Sequence, residues 1–284
     1  MSNMDIFASI KSRYNVFTNT ERKVADYINE NGKEVIYMSI TDLAEACNVG
    51  EASVFRFCKT LDLKGYQEFK IVLAHSISLE DEMPQISNEI TLNDSFQQLS
   101  SKILASNVQA LSETYNLLLE QQLKEAVELL VNAERIHFFG VGSSGVTALE
   151  AKNKFMRITN KTEYSIDAHF QMMSAALMHK EDVAVIFSYS GSTKDTIELA
   201  EVIKKRGAKI ILITRFAKSP LTTFSNVTLL CGAKEGPLQG GSLSVKIAQL
   251  YILDLLYFGF IKETKSESLG NKELTAQAVI TRIL

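Results

Sequence analysis

The sequence is short of the residues that build redox, metal and membrane chemistry. It carries three cysteines, Cys47, Cys58 and Cys231, an odd number set far apart and without a CxxC pair. That usage excludes a disulfide framework and points to reduced thiols in a cytoplasmic protein. The four histidines, His75, His137, His169 and His179, are scattered, so neither a metal nor another cofactor is expected. No apolar run approaches the ~20 residues of a membrane span, and the polar N-terminus lacks a signal-peptide core, so no membrane partner is expected. A surplus of charge of one sign is missing too: the net charge of −3 gives no generic attraction to nucleic acid or anionic lipid. There is no internal repeat and no low-complexity tract. What is there, 46% hydrophobic and 22% charged residues over 284 positions, suits a soluble chain long enough for two cores.

Residues 1–79 read as all-helical. Residues 80–94, opening on Glu80-Asp-Glu-Met-Pro84, hold acids but no Lys or Arg and read as a linker. Beyond it, Leu104, Val108, Leu111 and Tyr115 fall on one face of a helix, and Leu123, Val127 and Leu130 on one face of a second. Short β-branched strands then alternate with helices. Strands are expected at Arg135–Phe139, Tyr164–Asp167, Val183–Phe187, Lys209–Ile213 and Val227–Leu230, with an apolar helix from Ser242 to about Phe258. Such alternation means a parallel sheet covered on both faces.

Two loops stand out, Gly140-Val-Gly-Ser-Ser-Gly145 after the first strand and Ser188-Tyr-Ser-Gly-Ser-Thr193 after the third. Glycines allow close backbone approach, and free amides at a helix start together with hydroxyls make an anion site. In a sheet of order 2-1-3-4-5 the two loops face each other at the switch point. Ser143, Ser144, Ser188, Ser190 and Thr193 are therefore candidates to hold the phosphate of a small ligand. Gly140, Gly142 and Gly145 also fit GxGxxG, with Asp167 placed to hold a ribose, so a dinucleotide-sensing domain stays open. An isomerase stays open as well, with Glu235 as candidate base and His169 as acid. The bland alternative is that the serines only shape turns.

In the N-terminal part, Ile40, Leu43, Ala44 and Cys47 share the apolar spacing of Val54, Phe57, Cys58 and Leu61. Cys47-Asn-Val-Gly50 lies between them, with Asn48 at the reversal, and Ser39-Ile-Thr-Asp42 reads as a capping box. This is a helix-turn-helix pattern. Its second helix would offer Ala52, Ser53, Arg56 and Lys59 to DNA, with Lys64, Gly65 and Tyr66 on backbone phosphates. Against that stands the near-neutral balance of residues 1–79, nine bases and ten acids, which suits a helical interaction domain equally well.

Thr20–Ile28, Met38–Ala44, Ser53–Lys59 and Leu63–Lys70 together resemble the N-terminal domain of RpiR/MurR-family transcriptional regulators. The second half is similar to the sugar isomerase (SIS) domain that follows in that family. The resemblance runs from about Ile6 to Phe260. It departs at Gly50, where the family usually has a capping Ser, and at Val245-Lys246, where relatives commonly have Ser-Arg. It implies a multi-domain regulator of carbohydrate metabolism: an all-α helix-turn-helix domain (1–79), a linker (80–94), and a doubly wound parallel five-stranded α/β domain with C-terminal helices (95–284). Implied partners are double-stranded operator DNA, a sugar phosphate held by Ser144, Ser188, Ser190, Thr193 and Ser143, and further copies of the chain in a homodimer or homotetramer. Ligand sensing, not catalysis, is the implied role.

Overall fold

A computed structural model describes residues 5–80, 90–236 and 243–280. Residues 81–89, most of the expected linker, lie outside the described residues, as do 237–242. Two compact units emerge: of the described residues, the first holds those up to Ser106 together with 234–236, and the second holds Asn107–Ala233 and 243–280.

The first unit is helical: α1 (Ile6–Arg13), α2 (Asn19–Val35), α3 (Ile40–Ala46), α4 (Glu51–Thr60) and α5 (Tyr66–Glu80). Polar side chains start most of these helices. Asp5 accepts from the amides of Phe7 and Ala8, and Thr18 with Glu21 and Ser39 with Asp42 form capping boxes on α2 and α3. Phe57 anchors the core, its ring 5.2 Å from Phe17 and 5.8 Å from Phe69 between centroids.

In the second unit α6 (Phe96–Leu117, which begins in the first) and α7 (Glu120–Asn132) precede β1 (Ile136–Phe139). Then follow α8 (Ser143–Phe155), β2 (Thr162–Tyr164), α9 (Ala168–Leu177), β3 (Val183–Phe187), α10 (Lys194–Lys205), β4 (Lys209–Thr214), β5 (Val227–Leu230), α11 (Leu243–Glu263) and α12 (Lys265–Ile280). The sheet is parallel throughout, in the order β2-β1-β3-β4-β5. One face packs on α7, α8 and α11, the other on α9 and α10. By length and apolarity α11 would suit a membrane span, which the sequence reading did not foresee, but Val245, Ala248, Ile252, Leu256 and Phe260 are buried in this core.

Two expectations change. The second strand lies two residues earlier than the Tyr164–Asp167 segment, because the Asp167 carboxylate instead caps α9 by accepting from His169 and Phe170. A three-residue edge strand carries too weak an apolar signal to fix its own bounds. On α6 the buried positions are Ala110 and Thr114, while Leu104, Val108 and Tyr115 point outward. Small residues are needed where Gly232 approaches: its amide donates to Thr114 Oγ1 at 2.9 Å, and a Cβ there would meet the α6 backbone at 2.5 Å.

β1 buries a histidine. His137 Nδ1 lies 3.0 Å from Ser174 Oγ, and Nε2 lies 4.0 Å from Asp182 with no hydrogen-bond partner among the described residues. Burial pushes its pKa below the ordinary value, against the smaller pull of Asp182 and Glu163. The unfolded chain therefore takes up a proton that the native state resists, and the stability present above about pH 6.5 is lost as pH falls below it. Thermal melts between pH 8 and 5 should show the melting temperature falling below about pH 6.5. His137→Gln should flatten that fall; an unchanged slope in the variant would refute the assignment.

Candidate functional site

The first unit builds a surface on α4. Asn48 adopts φ +51°, the left-handed conformation that the turn requires, and Val49 packs half-buried beside the core. With Val54, Phe57 and Cys58 turned inward, α4 presents Ala52, Phe55, Arg56 and Lys59 outward. Ser53 does not join them. It is buried on the core side of the helix, and its hydroxyl accepts from Arg56 Nη2 at 3.0 Å. Position 53 falls one residue from Val54 and four from Phe57, so the helical turn carries it toward the core.

Tyr66 is likewise corrected. Its buried hydroxyl donates to the carbonyls of Met38 (3.2 Å) and Val35 (3.4 Å), pinning the chain that enters α3. Lys70 donates to the same Met38 carbonyl at 3.3 Å, lies over the Tyr66 ring, and is lowered by burial to about 8. Lys64 is exposed as expected, with its amide taken by the Glu68 carboxylate, and Gly65 is half-buried against Phe55. Phe55 escaped the sequence reading, because a lone aromatic beside apolar core positions gives no sign of pointing out. It is 45% exposed, with the Lys59 ammonium 5.3 Å from its ring centroid.

The second unit brings its two loops together. Since β1 and β3 pair in parallel with Phe139 opposite Ile186, the loops that leave them emerge side by side. Neither Gly142 nor Thr193 caps its helix with a side chain, so the first-turn amides of α8 and α10 are not satisfied that way. The Ser143 and Thr193 side chains are exposed, Ser144 and Ser190 half-buried, and Ser188 buried at the end of β3. Two glycines are sterically required. A Cβ on Gly140 would stand 2.6 Å from the Ser144 carbonyl oxygen, and Gly191, at φ +61°, would put one 2.1 Å from Ser219 Oγ.

Sequence reasoning also missed what holds these loops. The Gln171 side chain of α9 is buried, donates to the Gly140 and Ser165 carbonyls at 2.9 Å, and accepts from the Gly140 amide at 3.3 Å. Ser219, just after β4, sits against Gly191 with its buried hydroxyl unpartnered among the described residues. The Lys246 ammonium reaches the Ser143 carbonyl oxygen at 3.5 Å, which brings one positive charge to the first loop. Beside the loops a cleft of about 210 Å³ runs between α9 and α10, lined by Val141, His169, Met172, Asp195, Glu198 and Leu199. Asp167, the residue a dinucleotide would need for its ribose, is spent on capping α9. Among the described residues no cluster of His, Cys, Asp and Glu has the geometry to hold a metal.

Comparison with known proteins gives this geometry a family. Residues 4–80 match the helix-turn-helix domain of the rpiR family, and residues 129–258 match the SIS domain. An HTH-type transcriptional regulator of Haemophilus influenzae is 36% identical over 278 residues, covering 97% of this chain and 96% of that protein. The HTH-type transcriptional regulator HexR of Escherichia coli is 31% identical over 285 residues, covering 95% and 98%. Among solved structures, the Vibrio vulnificus NanR protein, complexed with ManNAc-6P, superposes with a TM-score of 0.87 at 30% identity, over 98% of this chain and all of that one. The chain belongs to the RpiR family: it is a transcriptional regulator with a helix-turn-helix domain followed by a SIS domain.

Proposed function

We propose that this regulator works in the cytoplasm as an oligomer, binds operator DNA through α4, and takes a phosphorylated sugar as its effector. The observation that carries the reading is the pair of serine-bearing loops leaving adjacent parallel strands, each opening a helix that no side chain caps; to Ser143, Ser144, Ser188, Ser190 and Thr193 in these loops we assign the phosphate. A phosphate is the natural acceptor there, because its oxygens accept several hydrogen bonds and favour helix N-termini. Lys246 adds a point charge at the rim. The ManNAc-6P held by the Vibrio vulnificus NanR protein supports a hexosamine phosphate as the first compound to try. The sugar body would lie in the cleft between α9 and α10. Regulation in place of turnover is supported by the exposure of His169, whose ring lies 3.7 Å from the Asp167 carboxylate.

On DNA, we assign base reading to Arg56, with Ala52 and Phe55 flanking it, and backbone contacts to Lys59, Lys64 and Gly65. Ser53 sets the direction of the Arg56 guanidinium, and Tyr66 and Lys70 hold the frame. A chain this weakly charged needs at least two copies to bind tightly, with half-site centres ~34 Å or a multiple of it apart.

Two measurements test these assignments. Ser144→Ala with Ser190→Ala removes two donors to an ionised group, each worth roughly 1.5–3 kcal/mol. Affinity for the sugar phosphate by calorimetry should fall at least a hundredfold while ligand-free operator binding persists; unchanged affinity, or a wild type stabilised by NADH and by no sugar phosphate, sinks the pocket assignment. For the DNA face, Arg56→Ala should lose roughly 1–3 kcal/mol of discrimination between operator and random sequence, whereas Lys64→Ala should weaken both alike and reduce the salt slope by about 1. An Arg56→Ala protein that keeps its operator preference would show that another face of α4 reads the bases.

A further inference from the structure

The outer face of α4 holds an apolar element that hydrogen-bonded base recognition leaves unused. Past the first residue of the helix, Ala52, Phe55, Arg56 and Lys59 are exposed together on one side, with Val54, Phe57 and Cys58 turned inward. A large aromatic side chain on a solvated helix face gains nothing from water, so its place among the reading residues asks for a partner. The polar groups beside it are mostly committed. Glu51 accepts from Thr41 Oγ1 at 2.6 Å, across to α3, and the buried Ser53 hydroxyl accepts from Arg56. Arg56 is the one guanidinium on α4, and one such fork specifies one guanine.

The Phe55 ring is held in place from two directions. A Cβ added at Gly65, just before α5, would meet Phe55 Cε2 at 3.3 Å and Cδ2 at 3.8 Å, so the ring lies over that glycine. The Lys59 ammonium, one turn further along α4, stands 5.3 Å from the ring centroid. Part of the ring is thereby packed and part projects from the face.

We propose that Phe55, with Ala52 one turn before it, reads the C5 methyl groups of thymine in the major groove, beside the guanine assigned to Arg56. This rests on α4 being the helix that enters the groove. The thymine methyl is the one bulky apolar group that a base pair shows there, so an apolar side chain on a reading helix has a single partner of matching chemistry. At about 3.6 residues per turn, Phe55 and Arg56 fall on opposite flanks of the line from Ala52 to Lys59, so the two side chains address different base pairs. Wedging between base steps is the other use of an exposed aromatic, and it needs a ring free to enter the stack. The packing over Gly65 withholds that freedom and leaves a surface suited to lateral contact.

The experiment uses the full chain. Selection from a pool of random double-stranded DNA gives the preferred site. Anisotropy titrations then compare that site with versions in which each thymine in turn is replaced by deoxyuridine, which removes the methyl and keeps every hydrogen-bonding edge. Wild-type affinity should fall about fourfold at one or more thymines close to the guanine that Arg56→Ala ceases to distinguish, the effect of losing one buried methyl-sized group. Phe55→Ala should bind thymine and deoxyuridine sites alike, while Phe55→Leu, still apolar, should keep part of the difference. Phe55 lies outside the buried core, and the deoxyuridine series on the wild type needs no variant at all. A selected site without thymine, a wild type indifferent to deoxyuridine at every position, or a Phe55→Ala protein that still loses the full factor overturns the methyl contact. The two readings fail separately. Indifference to deoxyuridine with lost discrimination in Arg56→Ala removes the methyl contact and leaves α4 as the reading helix. Arg56→Ala and Phe55→Ala proteins that both keep the wild-type site preference remove α4 from the groove, and the methyl contact with it.

Discussion

Parallel pairing of β1 with β3 is the constraint on which the second unit depends. Because the chain leaves β1 for the sheet edge and returns beside it as β3, two loops far apart in sequence leave the sheet at the same end. Each loop then opens a helix whose first turn no side chain caps. The hydroxyls add direction to what the backbone already provides. At Gly140 and Gly191 a side chain would collide with the turn, whereas Gly142 has open space around it and serves through its φ of +60°.

The same economy governs the first unit, where one carbonyl organises the approach to the reading helix. Met38 accepts from Tyr66 and from Lys70, so α5 fixes where α3 begins, and α3 through the Asn48 turn fixes α4. Residues that look suited to touching phosphate are instead spent on holding the frame. The outward face that results is modest in charge, with Arg56 and Lys59 beside an exposed aromatic ring. Such a face depends on geometry more than on bulk electrostatics.

A good part of this was legible beforehand. The strand order, four of the five strands to within a residue, the Ser39–Asp42 box and the left-handed Asn48 all follow from local rules: apolar continuity, hydroxyl and carboxylate spacing, and the tolerance of Asn for positive φ. The place of the two glycine- and serine-rich loops, each between a strand and a helix, was legible for the same reason. What escaped were properties of faces. Ser53 and Tyr66 were placed outside because they are polar, and Phe55 was passed over because it is not; packing decided all three the other way.

The sequence by itself determined a helical part followed by a parallel α/β part, and where most of their elements lie, because these are written in short-range periodicity and turn residues. Tertiary structure alone decided that the Gln171 amide braces the first loop and that Lys246 comes to its rim. It also decided that the apolar faces of α6 and α9 look outward, away from the core. Such facts depend on which of two sides of a helix meets the sheet. That choice is set by the fit of Ala110, Thr114 and Ala175 into close contacts contributed by residues distant in the chain, and no window of local sequence contains it.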